Sequence, residues 1–215
     1  MLPVKISASV LNSDLSRLGE SAAAIAMNGI EYLHFDVMDG EFVKNITYGS
    51  AVQNALRSRT TALLDTHLMV KTPARQIPLF AAAGSAMITF HVESDGDPAA
   101  LIEQIHSLGV KAGVALKPKT PAEAAFPYIK TADMILVMTV EPGYGGQGFI
   151  PEMTDKIRAI RSQADKLGRS VDIQVDGGIN EKTAPLVKEA GANILVAGTY
   201  LFRAENMKAA ADLLR

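Results

Sequence analysis

The sequence predicts an α/β chain in which eight strand–helix units close into a (β/α)8, or TIM, barrel. Eight short apolar runs alternate with eight longer helix-like stretches over 215 residues. Most of the runs are apolar nearly throughout, as strands buried on both faces must be. The glycine-rich turn expected after the first strand of an open, doubly wound sheet is missing, because Ser9 is followed by Val10-Leu11-Asn12.

The units follow in order. The run 4–9 precedes the helix-like stretch 14–27, which ends near Gly29. The run 32–36 precedes 48–57. The run 62–68 precedes 73–82, opened by Thr72-Pro73 and closed by Gly84. The run 86–91 leads to 98–107, opened by Asp97-Pro98 and closed by Gly109, and 110–116 leads to 121–129, opened by Thr120-Pro121. The run 134–138 joins 151–166 and ends at Gly168; 171–176 joins 181–189 and ends at Gly191; 194–197 joins 204–214. A capping residue before a proline suits a first helical turn, and glycine accepts the left-handed conformation that closes a helix. Right-handed crossovers between parallel strands close such a series. These barrels typically take about 250 residues and can use about 200, so residues 1–215 form one compact domain with few insertions.

Hydrophobic residues make up 48% of the chain and charged residues 20%, a globular composition. With 21 Lys and Arg against 23 Asp and Glu, the net charge is −2, which gives no electrostatic reason to bind nucleic acid or anionic lipid. There are no cysteines, so disulfide and thiolate chemistry is excluded. The N-terminal residues do not read as a secretory signal, and no stretch approaches the roughly 20 apolar residues that span a bilayer. A cytoplasmic protein is expected.

In a barrel the reactive groups belong at the C-terminal ends of the strands. His34 and Asp36 share one face of a strand by the period of two. His67 and Asp176 lie on other strands and can converge with them. Two imidazoles and two carboxylates make a site for one divalent ion, with zinc, manganese and iron(II) all chemically reasonable. Asp65, one step deeper than His67, either supports a histidine ligand or caps a barrel layer. His91 either lines the same mouth or pairs with Glu93. His106 reads as a surface residue, and Asp39-Gly40 as a turn. The loop Gly143-Tyr144-Gly145-Gly146-Gln147-Gly148 offers bare backbone N–H groups and can move over a ligand. Gly177-Gly178 and Gly198-Thr199 follow the last two strands, where these barrels bind phosphate. A metal, two carboxylates and a phosphate anchor suggest proton abstraction beside a carbonyl through an enediolate, with inversion of configuration and no redox cofactor.

The segments LHFDVMDGEFVKNITYG (33–49), LDTHLMV (64–70), MITFHVE (87–93), VMTVEPGYGGQGFIPEM (137–153), IQVDGGIN (173–180) and VAGTYLF (196–202) together resemble the ribulose-phosphate 3-epimerases. The resemblance covers nearly the whole chain. It implies a TIM barrel that interconverts D-ribulose 5-phosphate and D-xylulose 5-phosphate. It implies Asp36 and Asp176 as the acid/base pair, and His34, Asp36, His67 and Asp176 as ligands of one divalent metal. It implies Ser9 and His67 as substrate contacts, Gly143, Tyr144, Gly145 and Gly146 as part of a mobile loop over the ligand, and Gly177, Gly178, Gly198 and Thr199 as the phosphate site. Met38, Met69 and Met138 match methionines that line the family's active site. It further implies self-association as a dimer or hexamer. Four positions depart from the family pattern: Ala8 replaces a common Pro, Lys117 a usual Asn, Gly148 a Ser or Lys, and Thr199 a frequent Ser.

Three other readings compete. An allulose-6-phosphate 3-epimerase would use the same core residues on a longer sugar phosphate. A non-catalytic phosphosugar-binding barrel predicts loss of a reactive group, yet Ser9, His34, Asp36, His67, Asp176 and Thr199 are all present. A decarboxylase would want a lysine between strand-end carboxylates, and neither 34–39 nor 65–67 contains one.

Overall fold

The computed structural model describes residues 2–215. Eight parallel strands close into one barrel in chain order. They are β1 (Lys5–Ser9), β2 (Tyr32–Met38), β3 (Leu63–Met69), β4 (Met87–His91), β5 (Lys111–Leu116), β6 (Met134–Met138), β7 (Asp172–Asp176) and β8 (Ile194–Ala197). The seam pairs the first strand with the last, Lys5 opposite Ile194 and Ala8 opposite Ala197.

Each strand faces two cores, which is why the runs are apolar almost throughout. Outward residues such as Ile6, Leu33, Phe35, Ile88, Phe90, Val114, Ile135, Val175 and Leu195 join one large cluster with Ile25, Ile77, Phe80, Ile105, Ile157, Ile160 and Leu214 from the helices. Each such side chain contributes about 1.5–3 kcal/mol on burial. Inside the barrel, Tyr32, Met87, Met134 and Ile194 from β2, β4, β6 and β8 form a layer of four, the alternate-strand filling expected of this fold. Polar residues appear above it. The Asp65 carboxylate accepts from Ser7 Oγ at 2.8 Å and Gln174 Nε2 at 2.6 Å, tying β1, β3 and β7 together across the interior.

The helices are α1 (Leu18–Met27), α2 (Ser50–Arg57), α3 (Pro73–Ala82), α4 (Pro98–Ser107), α5 (Met153–Lys166), α6 (Ala184–Ala190), α7 (Thr199–Phe202) and α8 (Met207–Leu214). The expected spans of α3 and α4 are met. The Asp97 side chain caps α4 by accepting from the Ala99 N–H at 3.2 Å, whereas Thr72 makes no capping bond to α3. Six expected stretches differ. One, 48–57, begins only at Ser50, after an extended Gly49. The stretch 14–27 opens with a tight 3-10 turn, Leu15–Arg17, before α1 begins. The stretch 121–129 is not an α-helix but a 3-10 segment, Ala122–Tyr128, with Pro127 inside. A proline lacks the N–H that an α-helical ladder needs. Thr120 does not cap it and instead donates its hydroxyl to Glu93. The expected helices at 151–166 and 181–189 begin later, at Met153 and Ala184. The expected helix at 204–214 starts only at Met207, because the Asn206 side chain accepts from the Ala209 N–H and sets the cap there. The short α7 was not expected at all. The predicted terminal glycine of α6, Gly191, takes the left-handed conformation at φ 112°.

Candidate active site and metal centre

The C-terminal mouth of the barrel gathers the candidates from three strands. The period of two on β2 turns both His34 and Asp36 inward, and β3 and β7 bring His67 and Asp176 to the same level. One ligand atom from each of these four residues lies within 4.8 Å of all the others. His34 Nε2 is 3.3 Å from Asp36 Oδ1 and 3.6 Å from Asp176 Oδ2. His67 Nδ1 is 3.1 Å from Asp36 Oδ1 and 3.6 Å from Asp176 Oδ2. Both histidines are fully buried.

Several observations test whether a cation fits. The other ring nitrogen of His34, Nδ1, lies 2.8 Å from Asp65 Oδ2. That contact places the proton on Nδ1 and leaves the Nε2 lone pair aimed at the cluster. His34 Nε2 is buried and has no hydrogen-bond partner. A bare, buried nitrogen facing two carboxylates fits a divalent ion with a nitrogen- and oxygen-ligand preference.

The electrostatics agree. Burial opposes a charged His34, but Asp36 and Asp65 outweigh it and raise its pKa well above the ordinary histidine value. His67 is likewise raised, with the bonds to Asp176 and Asp36 overcoming burial. Burial would push Asp36 up, yet the adjacent imidazoles hold it below the usual carboxylate range. The site therefore attracts positive charge, whether as protons or as a metal. Ser9 Oγ donates to Asp36 Oδ2 at 2.6 Å, which leaves Oδ1 to the histidines.

Asp65 supports a histidine, as expected, and also joins the polar barrel layer. His91 pairs with Glu93, one of the two readings, and sits fully buried behind His67 instead of lining the mouth. Its Nδ1 lies 3.1 Å from Glu93 Oε2, and its Nε2 lies 2.9 Å from His67 Nε2. Burial, with the charge of His67 acting the same way and Glu93 opposing, lowers the His91 pKa to about 4. Although burial acts upward, the bonds from His91, Thr120 and the Lys117 N–H bring Glu93 down to about 2. His106 lies on the outside, its Nε2 2.8 Å from Asp133. Asp39 forms the expected turn and accepts from the N–H groups of Glu41, Phe42 and Lys71.

Met38, Met69 and Met138 line a narrow cavity of about 50 Å³ together with Asp36, Asp176, Gly177 and residues 143–146. The glycine loop thus lies over the carboxylates. Gly178 is at φ +68°, and a Cβ there would stand 2.6 Å from the Phe149 backbone nitrogen. Gly198 precedes α7, and a Cβ there would meet Asn12 Nδ2 at 2.6 Å. Asn12 was not singled out in the sequence. Its Oδ1 accepts from Thr199 Oγ1 at 3.1 Å, and its side chain also abuts Gly145. It links the glycine loop to the end of β8. A larger cleft, about 750 Å³, opens elsewhere, beside Val4, Arg161 and Gly191, and none of the candidate residues lines it.

The departures from the family pattern sort by position. Ala8 is fully buried in the outer cluster, facing the helices. A Cβ on Gly148 would meet open space. Thr199 keeps the hydroxyl. Lys117 places Nζ 3.7 Å from the centre of the Phe42 ring, a cation–π contact at the mouth.

Comparisons with known proteins agree over the whole barrel. The sequence profile of the "Ribulose-phosphate 3 epimerase family" matches residues 5–202. A ribulose-phosphate 3-epimerase of Bacillus subtilis is 42% identical over 213 residues, covering 99% of this chain and 98% of that protein. A protein of rice named "Ribulose-phosphate 3-epimerase, cytoplasmic isoform" is 44% identical over 204 residues, covering 93% and 88%. Among solved structures, a 3-keto-L-gulonate-6-phosphate decarboxylase from Vibrio cholerae superposes with a TM-score of 0.71 at 15% identity, covering 100% of this chain and 96% of that one. That likeness is one of fold.

Proposed function

Because the chain belongs to the ribulose-phosphate 3-epimerase family, we propose that it inverts carbon 3 of a ketose phosphate, interconverting D-ribulose 5-phosphate and D-xylulose 5-phosphate. The observation that carries this reading is the convergence of His34, Asp36, His67 and Asp176, with ligand atoms within 4.8 Å of one another. These four residues would hold one divalent ion, which when bound lowers the cost of negative charge on neighbouring oxygens.

The chain's own groups do the rest. Asp36 and Asp176 enter from β2 and β7, so a carbon between them is reached from two sides. One carboxylate takes the proton from carbon 3, and the other, as the carboxylic acid, returns a proton to the opposite face. On the reverse reaction they exchange roles. Ser9 fixes Asp36 by its hydrogen bond, and Ser9 and His67 meet the substrate. Gly177, Gly178, Gly198 and Thr199 present backbone N–H groups and a hydroxyl to the phosphate. Gly143, Tyr144, Gly145 and Gly146 cover the mouth and exclude water.

No helix among the described residues is long and apolar enough to cross a membrane. With that, the lack of cysteine and the name of the rice relative support a cytoplasmic location. The family resemblance supports a homo-oligomer, a dimer or hexamer, which sedimentation would size. The closeness of the relatives favours the pentulose over the hexulose phosphate.

The test is turnover in deuterated solvent on D-ribulose 5-phosphate and allulose 6-phosphate, with label read at each carbon and metal measured on the purified protein. Deuterium at carbon 3 alone, faster turnover on the pentulose and one divalent ion per chain are expected. Label at another carbon, or none with either sugar, would overturn the proposal.

A further inference from the structure

We propose that His91 and Glu93 form a positioning relay that holds the ring of His67 in the tautomer able to bind the metal. This inference rests on the metal reading given above and extends it to two residues outside the four-residue cluster.

His67 turns Nδ1 toward Asp36 and Asp176, at 3.1 and 3.6 Å. A ring that ligates through Nδ1 is neutral there and carries its proton on Nε2. That Nε2 lies 2.9 Å from His91 Nε2. Two nitrogens at this separation share one hydrogen, so with the proton on His67 the facing nitrogen of His91 must be bare. His91 then carries its own proton on Nδ1, which lies 3.1 Å from Glu93 Oε2. Glu93 cannot turn away, because its Oε1 accepts from the Lys117 N–H at 2.9 Å and from the Thr120 hydroxyl. The Phe42 ring packs on His91 with centroids 4.8 Å apart, which holds the imidazole in line. Proton positions are therefore dictated from the end of β5 through to His67 Nδ1.

The arrangement parallels the other histidine ligand. His34 has Asp65 directly behind it at 2.8 Å; His67 has a carboxylate behind it as well, reached through one intervening ring. The two ligands donate through different nitrogens, Nε2 for His34 and Nδ1 for His67, so one shared carboxylate could not orient both.

Glu93→Gln makes the sharpest test. The amide oxygen must stay with the Lys117 N–H and the Thr120 hydroxyl, which need an acceptor. The amide nitrogen then faces His91 Nδ1 and donates to it. That pushes the His91 proton to Nε2, against His67 Nε2, and drives the His67 proton to Nδ1, where it blocks the ion. The change keeps the shape of the side chain, so the fold should survive.

Zinc affinity of the full chain, measured against a competing chelator, should fall about 10–100-fold in Glu93→Gln and in His91→Leu, the usual effect of losing a group behind a ligand. His91→Gln, whose amide oxygen can accept where the ring Nε2 did, should recover most of the loss. A role in packing alone predicts no such recovery. In the zinc-loaded wild type, nitrogen NMR of the imidazoles should show hydrogen on His67 Nε2 and His91 Nδ1. Hydrogen on His91 Nε2, or variants that bind zinc as the wild type does, would overturn the relay and leave the metal reading standing. A wild type that binds no zinc would overturn both. Should His91→Leu fail to fold, Glu93→Gln decides alone.

Discussion

Replacing Asp65 should loosen both the barrel interior and the metal site, and the size of each effect follows from its contacts. Asp65 is 1% exposed, and its Oδ2 receives Ser7 Oγ, His34 Nδ1 and Gln174 Nε2 at 2.8, 2.8 and 2.6 Å. Alanine would strand three buried donors at about 1–3 kcal/mol each, or about 3–9 kcal/mol together. A domain holds only about 5–15 kcal/mol in total, so that variant is expected not to fold. Asparagine is the informative change. Oδ1 has no partner, so the amide nitrogen can sit there while the oxygen keeps the three donors. The unpartnered amide then costs about 1–3 kcal/mol, and loss of charge behind His34 about 1 kcal/mol more. Asp65→Asn should therefore lose about 2–4 kcal/mol in urea unfolding of the metal-free protein and bind zinc about 10–100-fold more weakly. Against burial, the charge of His34 and the bonds it accepts hold the Asp65 pKa below its ordinary value. That contribution is present above about pH 4 and lost as the pH falls through the folded-state value, so the variant should also lose part of the acid limb of its stability curve. Zinc affinity and unfolding midpoint both equal to wild type would refute the idea that Asp65 orients His34.

Other variants probe other parts of the molecule. Asp36→Asn and Asp176→Asn should each cut turnover by about 10²–10⁴-fold while the circular dichroism spectrum is retained; near-native turnover in either would sink the two-base scheme. Gly178→Ala should destabilise the protein by about 1–3 kcal/mol, since its Cβ would press on the Phe149 backbone at a positive φ, and it should raise KM for the sugar phosphate. An unchanged melt with unchanged KM would remove Gly178 from the phosphate site. His91 stays neutral in the fold down to about pH 4, while the unfolded chain takes up that proton near pH 6.5. Its share of stability should thus fall as pH drops between those values, by about 3 kcal/mol at ~1.4 kcal/mol per unit. Comparing His91→Gln with wild type over that range isolates the slope, and parallel curves would contradict it.

The barrel was legible because its strands are buried on both sides, so each reads as an apolar run with no competing pattern. The helix starts that carried a real signal, such as Asp97-Pro98, fell where expected. Where the signal was ambiguous, a local hydrogen bond decided instead: Thr120 served Glu93 and not a helix, and Asn206 moved the start of α8 to Met207. The short helix α7 was hidden because Gly198-Thr199 already read as a loop. At the site, the period of two exposed His34 with Asp36, and Asp65 with His67. Ser7 and Gln174 left no trace, since a single polar residue in an apolar strand looks like noise until register places it opposite Asp65. Asn12 was equally silent, because its meaning depends on the seam that brings it beside Thr199.

That seam carries a consequence for how the protein is born. The four residues that would hold the ion come from β2, β3 and β7, and the wall is sealed only when β8 reaches back to β1. A nascent chain leaving the ribosome therefore carries an open, edge-exposed sheet until β8 has been made. Truncation anywhere before β8 should leave an aggregation-prone product without activity, so this enzyme cannot mature by halves.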